Sequence, residues 1–306
     1  MAATVKDPER DQRPRKPKAK SRWGMDGSLL VLLGPALLLV ALLFVWPFLY
    51  GIGVSLTPAP GREGIFSSYT TFFGDARERA SIWNTLRLAV PATLINLLLA
   101  VPLAYRMRNP LKGQRLITVL FVVPMTLGVV LIARGMLTFL GPGGWFNKTL
   151  MTLGVIGEPL QLLNNYTGVL ISLIIAEFPV MFLLLLGYAS GIDPNLERAG
   201  RMLGAGAWQR FTRIMLPLMM PGIAIAAALG FMVTFAVFPS AVLVGEPAGS
   251  TRVIALAAWQ AAYERFDYSM GSAIAIVMAA IELLVVAVIL FARSRLYTGP
   301  ASGGKG

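Results

Sequence analysis

Two kinds of residue in this 306-residue chain could do chemistry: carboxylates set inside apolar runs, and a charged loop between two such runs. Glu177 precedes Phe178-Pro179 in one run, and Glu282 lies well inside another. A carboxylate in hydrocarbon is costly and is by default a functional candidate, here as a residue lining a solute path and favouring a cation. The blander alternatives are pairing with Arg134, Arg87 or a partner subunit's cation, or protonation in place. Other chemistries lack their residues. With no Cys and no His there is no disulfide framework, zinc finger, haem ligation, thiol catalysis or His-based triad. No G-x(4)-G-K-[ST] phosphate loop occurs either, so the chain expects no nucleotide of its own.

The charged loop covers residues 191–213. Asp193-Pro194 is a helix start, an N-cap acceptor followed by proline at the first helical position. Leu196, Ala199, Gly200, Leu203, Ala207 and Phe211 then fall at helical spacing and form a narrow apolar stripe. Gly204 and Gly206 end the first helix and permit a tight turn into a second. Two short amphipathic helices result. Such helices commonly lie on a membrane surface, which is the alternative to a docking element.

The elements that position these residues are membrane spans. The chain is 56% hydrophobic and only 14% charged, too apolar for a soluble domain. A crossing needs about 20 apolar residues, and six runs qualify: Ser28–Tyr50, Leu88–Tyr105, Leu116–Ala133, Thr167–Ser190, Ile214–Gly245 and Tyr268–Ala292. The first is too long, and lacks a small-residue cleavage site, for a signal peptide. The fifth holds 32 uncharged residues, an excess explained if Pro217, Pro221 and Pro239 break its helix. Pro179 is expected to kink the fourth. Met and Phe in the spans read as packing or lipid-facing residues.

Net charge is +12, and its distribution argues for a bilayer and against nucleic acid. Of 27 Lys and Arg, nineteen lie in residues 1–27, 106–115, 191–213 and the C-terminal tail, and eight in the segments between. By the positive-inside rule both termini and the two dense loops are cytoplasmic, with 51–87 and 141–166 outside. Residues 1–27 form a basic, disordered tail, 28–292 a six-span domain and 293–306 a second cytoplasmic tail. Asn147-Lys-Thr and Asn165-Tyr-Thr match a glycosylation acceptor that is common by chance.

The loop also runs into the next span with a definite spacing, Arg198-Ala199-Gly200-x(3)-Gly204-x(9)-Ile214-x-Leu216-Pro217. This resembles E-A-A-x(3)-G-x(9)-I-x-L-P, the mark of permease subunits of binding-protein-dependent ATP-binding-cassette importers. It departs from the pattern at Arg198, where Glu is usual, and at Gly200, where Ala is usual; Glu197 stands one residue early. Tyr69-Thr-Thr-Phe-Phe, Trp83-Asn-Thr-Leu, Val101-Pro-Leu-Ala-Tyr105 and Phe238-Pro-Ser-Ala look like the polyamine (spermidine/putrescine) branch. The likeness covers roughly residues 65–292.

The resemblance implies an all-α membrane protein with six transmembrane helices and the type I importer permease fold, multi-pass in a bacterial inner membrane. It implies that Glu197, Arg198, Ala199, Gly200, Leu203, Gly204, Ile214, Leu216 and Pro217 form an ATPase-coupling loop. It implies as partners two ATPase subunits carrying ATP and Mg, a second permease subunit (a different chain, or else a second copy), and an extracytoplasmic binding protein. The chain itself would be no enzyme, and its solute a polyamine or related organic cation. A sugar, phosphonate or ferric complex is the alternative cargo. A membrane-embedded enzyme lacks paired acids or bases in the spans, and a channel or secondary transporter lacks inverted repeats and a charge relay.

Overall fold

The computed structural model describes residues 27–59, 61–109 and 113–296. Most of the basic N-terminal tail, Lys112 and residues 297–306 lie outside the described residues. Residues up to Tyr50 form one compact unit and those from Gly51 another. The first holds α1 (Gly27–Val40), a π-helical turn (Ala41–Val45) and the start of α2 (Trp46–Ser55). Leu32, Phe44 and Trp46 are exposed. A helix apolar on every side suits lipid and not water.

The regular elements among the second unit's described residues are all helices, beginning with α3 (Ser67–Gly74), α4 (Ala76–Met107), α5 (Gln114–Leu140), α6 (Trp145–Thr152) and α7 (Tyr166–Ser190). Then follow α8 (Pro194–Met202), α9 (Ala207–Arg210), a π-turn (Phe211–Met215) and α10 (Leu216–Phe235). The chain ends with α11 (Pro239–Leu243), α12 (Ile254–Trp259), a π-turn (Gln260–Glu264) and α13 (Tyr268–Leu296). Among the described residues five helices are long and apolar enough to cross a membrane, or six if the bent pair Leu116–Gly128 and Val130–Thr152 is one crossing. That agrees with the six apolar runs.

Three helices make the centre. α4, α7 and α10 pack against one another, with α5 on α7 and α13 on α10. Leu88 and Ala92 share one apolar cluster with Val169 and Leu173. Further along, Ala100 and Ala104 share another with Met181 and Leu185. α4 and α7 therefore run parallel and in step. On α10, Gly222, Ala226, Gly230 and Thr234 recur every fourth residue and are all buried. Small residues at that spacing let helices approach closely where the surrounding lipid offers no hydrophobic driving force.

One expectation is overturned, the breaking of the fifth run's helix at Pro217 and Pro221, and the structure adds detail at three other places. α4 starts twelve residues before the apolar run, because Asp75 caps it by accepting from the Arg77 N–H at 2.7 Å. The third span is not straight: Gly128 takes φ 72° and ψ 155°, which only glycine adopts freely, and the two halves meet at 109°. In the fifth run Pro217 and Pro221 do not break the helix, since α10 continues through both. The π-turn just before Pro217, where the Leu216 N–H bonds to the Phe211 carbonyl, widens the coil beside the proline ring. The real break is at Ala236–Phe238, ahead of Pro239. Pro179 likewise leaves α7 uninterrupted.

The N-terminal end of α4 carries an ion-pair cluster. Glu78, 3% exposed, meets Arg252 at 3.0 Å and Arg265 at 3.2 Å. Arg252 also donates to Gln260 Oε1 at 3.1 Å and to the Arg77 carbonyl at 3.3 Å. With its charge and donors matched, a 4%-exposed guanidinium is tolerated, and it ties the segment after α11 to α4.

Candidate functional site

The charged loop folds as its residues dictate. The Asp193 carboxylate accepts from the Asn195 N–H at 2.9 Å, and α8 begins at Pro194. Gly204, at φ 80°, ends the helix. The Gly206 N–H donates to Gln209 Oε1 at 3.1 Å and opens α9. A β-carbon at Gly204 would meet nothing within 4 Å, so any substitution there is penalised by backbone conformation alone, about 1–2 kcal/mol.

Glu197 faces inward. Its Oε1 accepts from the Tyr105 hydroxyl at 2.8 Å and from Arg210 Nε at 3.4 Å, and its Oε2 lies 3.4 Å from Arg108 Nη2. Arg210 also donates to the Ala205 carbonyl at 2.8 Å. The Tyr105 ring sits 5.0 Å from that of Phe211. One carboxylate thus joins α8 to the last turn of α4 and to the segment leading into α10. Gly200 is buried on the same side, with Ile214 Cδ1 over it at 2.6 Å from where a β-carbon would stand. The Gly in place of the usual Ala and the Ile of the motif are therefore contact partners within the chain. Leu216 and Pro217 start α10, so the loop runs directly into a central helix.

The other side of the loop faces out. Arg198 is exposed, with Nη1 3.2 Å from Asn195 Oδ1. Ala199 and Arg201 are exposed too. Met202, Leu203 and Trp208 are 89%, 88% and 74% exposed. The apolar stripe is thus split, with Gly200 and Phe211 turned in and Leu196, Ala199 and Leu203 turned out. Met202 and Trp208 fell outside the helical spacing that picked the stripe. A tryptophan and a methionine in a short polar loop were the available signal.

The two intramembrane carboxylates are not brought together. Glu177 is 9% exposed, on the face of α7 that meets α4. The register of these helices sets it level with Asn96, which is fully buried and has neither amide atom hydrogen-bonded within the described structure. Sequence reading passed over Asn96, although a lone amide in an apolar run is the same kind of signal as Glu177. Glu282 sits partly exposed on α13. Among the described residues neither Arg87 nor Arg134 forms an ion pair with either acid, so that alternative is not the one the fold adopts.

Membrane-length helices around a three-helix centre, with an anchored helical hairpin leading into one of them, define a multi-span membrane protein. The chain belongs to the family of binding-protein-dependent transport system inner membrane components, whose model matches residues 93–297. It is 32% identical over 220 residues to the spermidine/putrescine transport system permease protein PotB of Haemophilus influenzae, covering 67% of this chain and 76% of that one. Against the Escherichia coli protein of the same name it is 35% identical over 141 residues, 46% of this chain and 51% of that. Its fold matches the crystal structure of a bacterial ABC transporter involved in the import of the acidic polysaccharide alginate, at TM-score 0.75 and 23% identity, covering 88% of this chain and 96% of that one. The chain is an ATP-binding-cassette importer permease, a non-catalytic, multi-pass inner-membrane subunit.

Proposed function

We propose that this permease imports a polyamine or a related small organic cation. An extracytoplasmic binding protein delivers the solute, and two ATPase subunits bearing ATP and Mg dock on the loop at 191–213. A second permease chain of different sequence completes the pore. The observation that carries the coupling role is the two-sided loop: Glu197 holds it to α4 while Met202, Leu203 and Trp208 stand in solvent. An anchored hairpin with an uncovered apolar tip suits a partner's groove better than a membrane surface, where a continuous apolar face would be buried. The cargo reading rests on likeness to the PotB proteins. Glu282, partly exposed on α13, is the better placed of the two acids to meet a cation; Glu177 is enclosed by this chain's own helices.

The test is ATP-driven uptake in proteoliposomes holding all four kinds of subunit. Labelled spermidine or putrescine is expected to enter, and Glu282→Gln to lower the rate several-fold. Leu203→Asp, which sets a charge on the docking tip, is expected to cut uptake at least about tenfold and to abolish stimulation of ATP hydrolysis by the loaded binding protein. Uptake of a neutral sugar with no response to polyamines would overturn the cargo. Wild-type coupling in Leu203→Asp would overturn the docking role.

Orientation follows from the nineteen-to-eight division of basic residues. The chain has no cysteine of its own, so single-cysteine labelling reads it directly. A cysteine at Asn109 should resist an impermeant thiol reagent in intact cells, and one at Glu158 should react. The reverse pattern would invert the topology.

A further inference from the structure

The exposed face of the docking loop has the opposite charge to the motif it resembles, and the structure shows why no other residue corrects this. α8 has two sides. Glu197 and Gly200 face the chain, and Arg198, Arg201 and Met202, three and four residues apart, share the outer surface. The loop's acids cannot serve that surface. Glu197 is already engaged by Tyr105, Arg108 and Arg210. Asp193 is held at the start of α8 by the Asn195 N–H. Among the described residues no carboxylate lies within ion-pair distance of Arg198 or Arg201. What a partner meets is an apolar tip of Met202, Leu203 and Trp208 beside two uncompensated guanidinium groups.

We propose that the ATPase subunit docking on this loop presents an acidic socket, one or more carboxylates facing Arg198 and Arg201. This rests on the docking role proposed above and adds the chemistry of the partner. Desolvating two cations against an apolar groove is unfavourable unless the partner supplies the counter-charge. Like charges set opposite one another across an interface are strongly unfavourable. A groove shaped for a glutamate at position 198 would carry a cation there and would be repelled. The planar guanidinium fork fits a carboxylate in two parallel hydrogen bonds, giving direction as well as attraction. The reversal therefore also acts as a selector, admitting the cognate ATPase and rejecting subunits whose grooves are basic.

The experiment measures binding of the ATPase subunit that co-purifies with the permease to full-length permease in nanodiscs, comparing wild type, Arg198→Glu, Arg201→Glu and Leu203→Asp. All three positions are exposed, so the variants should fold. Each Arg→Glu change is expected to weaken binding at least about tenfold, the scale of one charge-assisted contact. That deficit should shrink as salt rises from about 0.05 M to 0.5 M and the charges are screened. If Leu203→Asp loosens the subunit while Arg198→Glu leaves binding unchanged or tighter, the acidic socket is wrong and the docking role stands. If none of the three alters binding, the docking role fails and the socket with it.

Discussion

Replacing Glu197 with alanine should leave the permease inserted in the membrane but separate ATP hydrolysis from uptake. Arg108 has only 3% of its side chain exposed, and Glu197 is its one carboxylate partner among the described residues. It also donates to the weakly accepting sulfur of Met215. Truncating Glu197 strands a buried cation, at a cost of about 3–5 kcal/mol. It also frees the Tyr105 hydroxyl and leaves Arg210 only the Ala205 carbonyl, so the last turn of α4 and the end of α9 lose their common link to α8 at once. The damage is local, since Glu197 lies on α8, outside the spans, and meets only the end of α4 and Arg210. Uptake should fall at least about tenfold, and hydrolysis should continue without responding to the binding protein. Backbone amides of α8 should exchange hydrogen faster, while those of α7 keep their protection. Replacing both Glu197 and Arg108 with apolar residues, Glu197→Leu with Arg108→Met, should recover part of the lost protection, because the most buried cation is then removed while Arg210 keeps the Ala205 carbonyl. Unchanged α8 exchange in Glu197→Ala would show that the ion pairs do not anchor the loop.

The second large effect lies in the bundle. Gly222→Leu should prevent the chain from accumulating as a folded, detergent-extractable protein. A β-carbon at Gly222 would run into the Tyr188 ring, 2.7 and 2.8 Å from Cδ1 and Cδ2 and closer still to Cγ. The contact falls on the base of the ring, which cannot swing away as a chain end can. α7 and α10 would have to separate along the contact that Gly222, Ala226 and Gly230 keep short. Overpacking of this kind costs about 1–3 kcal/mol for a modest insertion and more where the backbone must shift. Gly230→Ala is the control. Its β-carbon would meet Met181 Cε, the flexible end of a thioether, which adapts readily. Thermal unfolding followed by fluorescence-detected gel filtration should show little change for Gly230→Ala and loss of the folded peak for Gly222→Leu. Equal behaviour of the two would refute rigid packing at Tyr188.

Several features were legible in the residues because the rules behind them are local. Hydrocarbon thickness sets the length of an apolar run, so the spans were countable from composition alone. Asp193-Pro194 starts α8 because an acceptor and a preset φ suffice to begin a helix. Gly204 ends it because a chain turning through φ 80° asks for glycine. The spacing from Gly204 to Leu216-Pro217 identified the family, and the family carries the fold.

What the tertiary structure decided are the matters of facing and pairing. Spans that are apolar on all sides carry no stripe to say which side meets a neighbour, so Glu177 could not be set opposite Asn96 until α4 and α7 were seen in register. Arg252 and Glu78 are 174 residues apart and leave no mark of their pairing along the chain. Glu197 and Arg198 are adjacent and equally polar, yet one is held inward by Arg108 and Arg210 and the other stands in solvent. Periodicity reports which residues share a side of a helix. Which side is covered depends on the helices packed against it, and those come from distant parts of the chain.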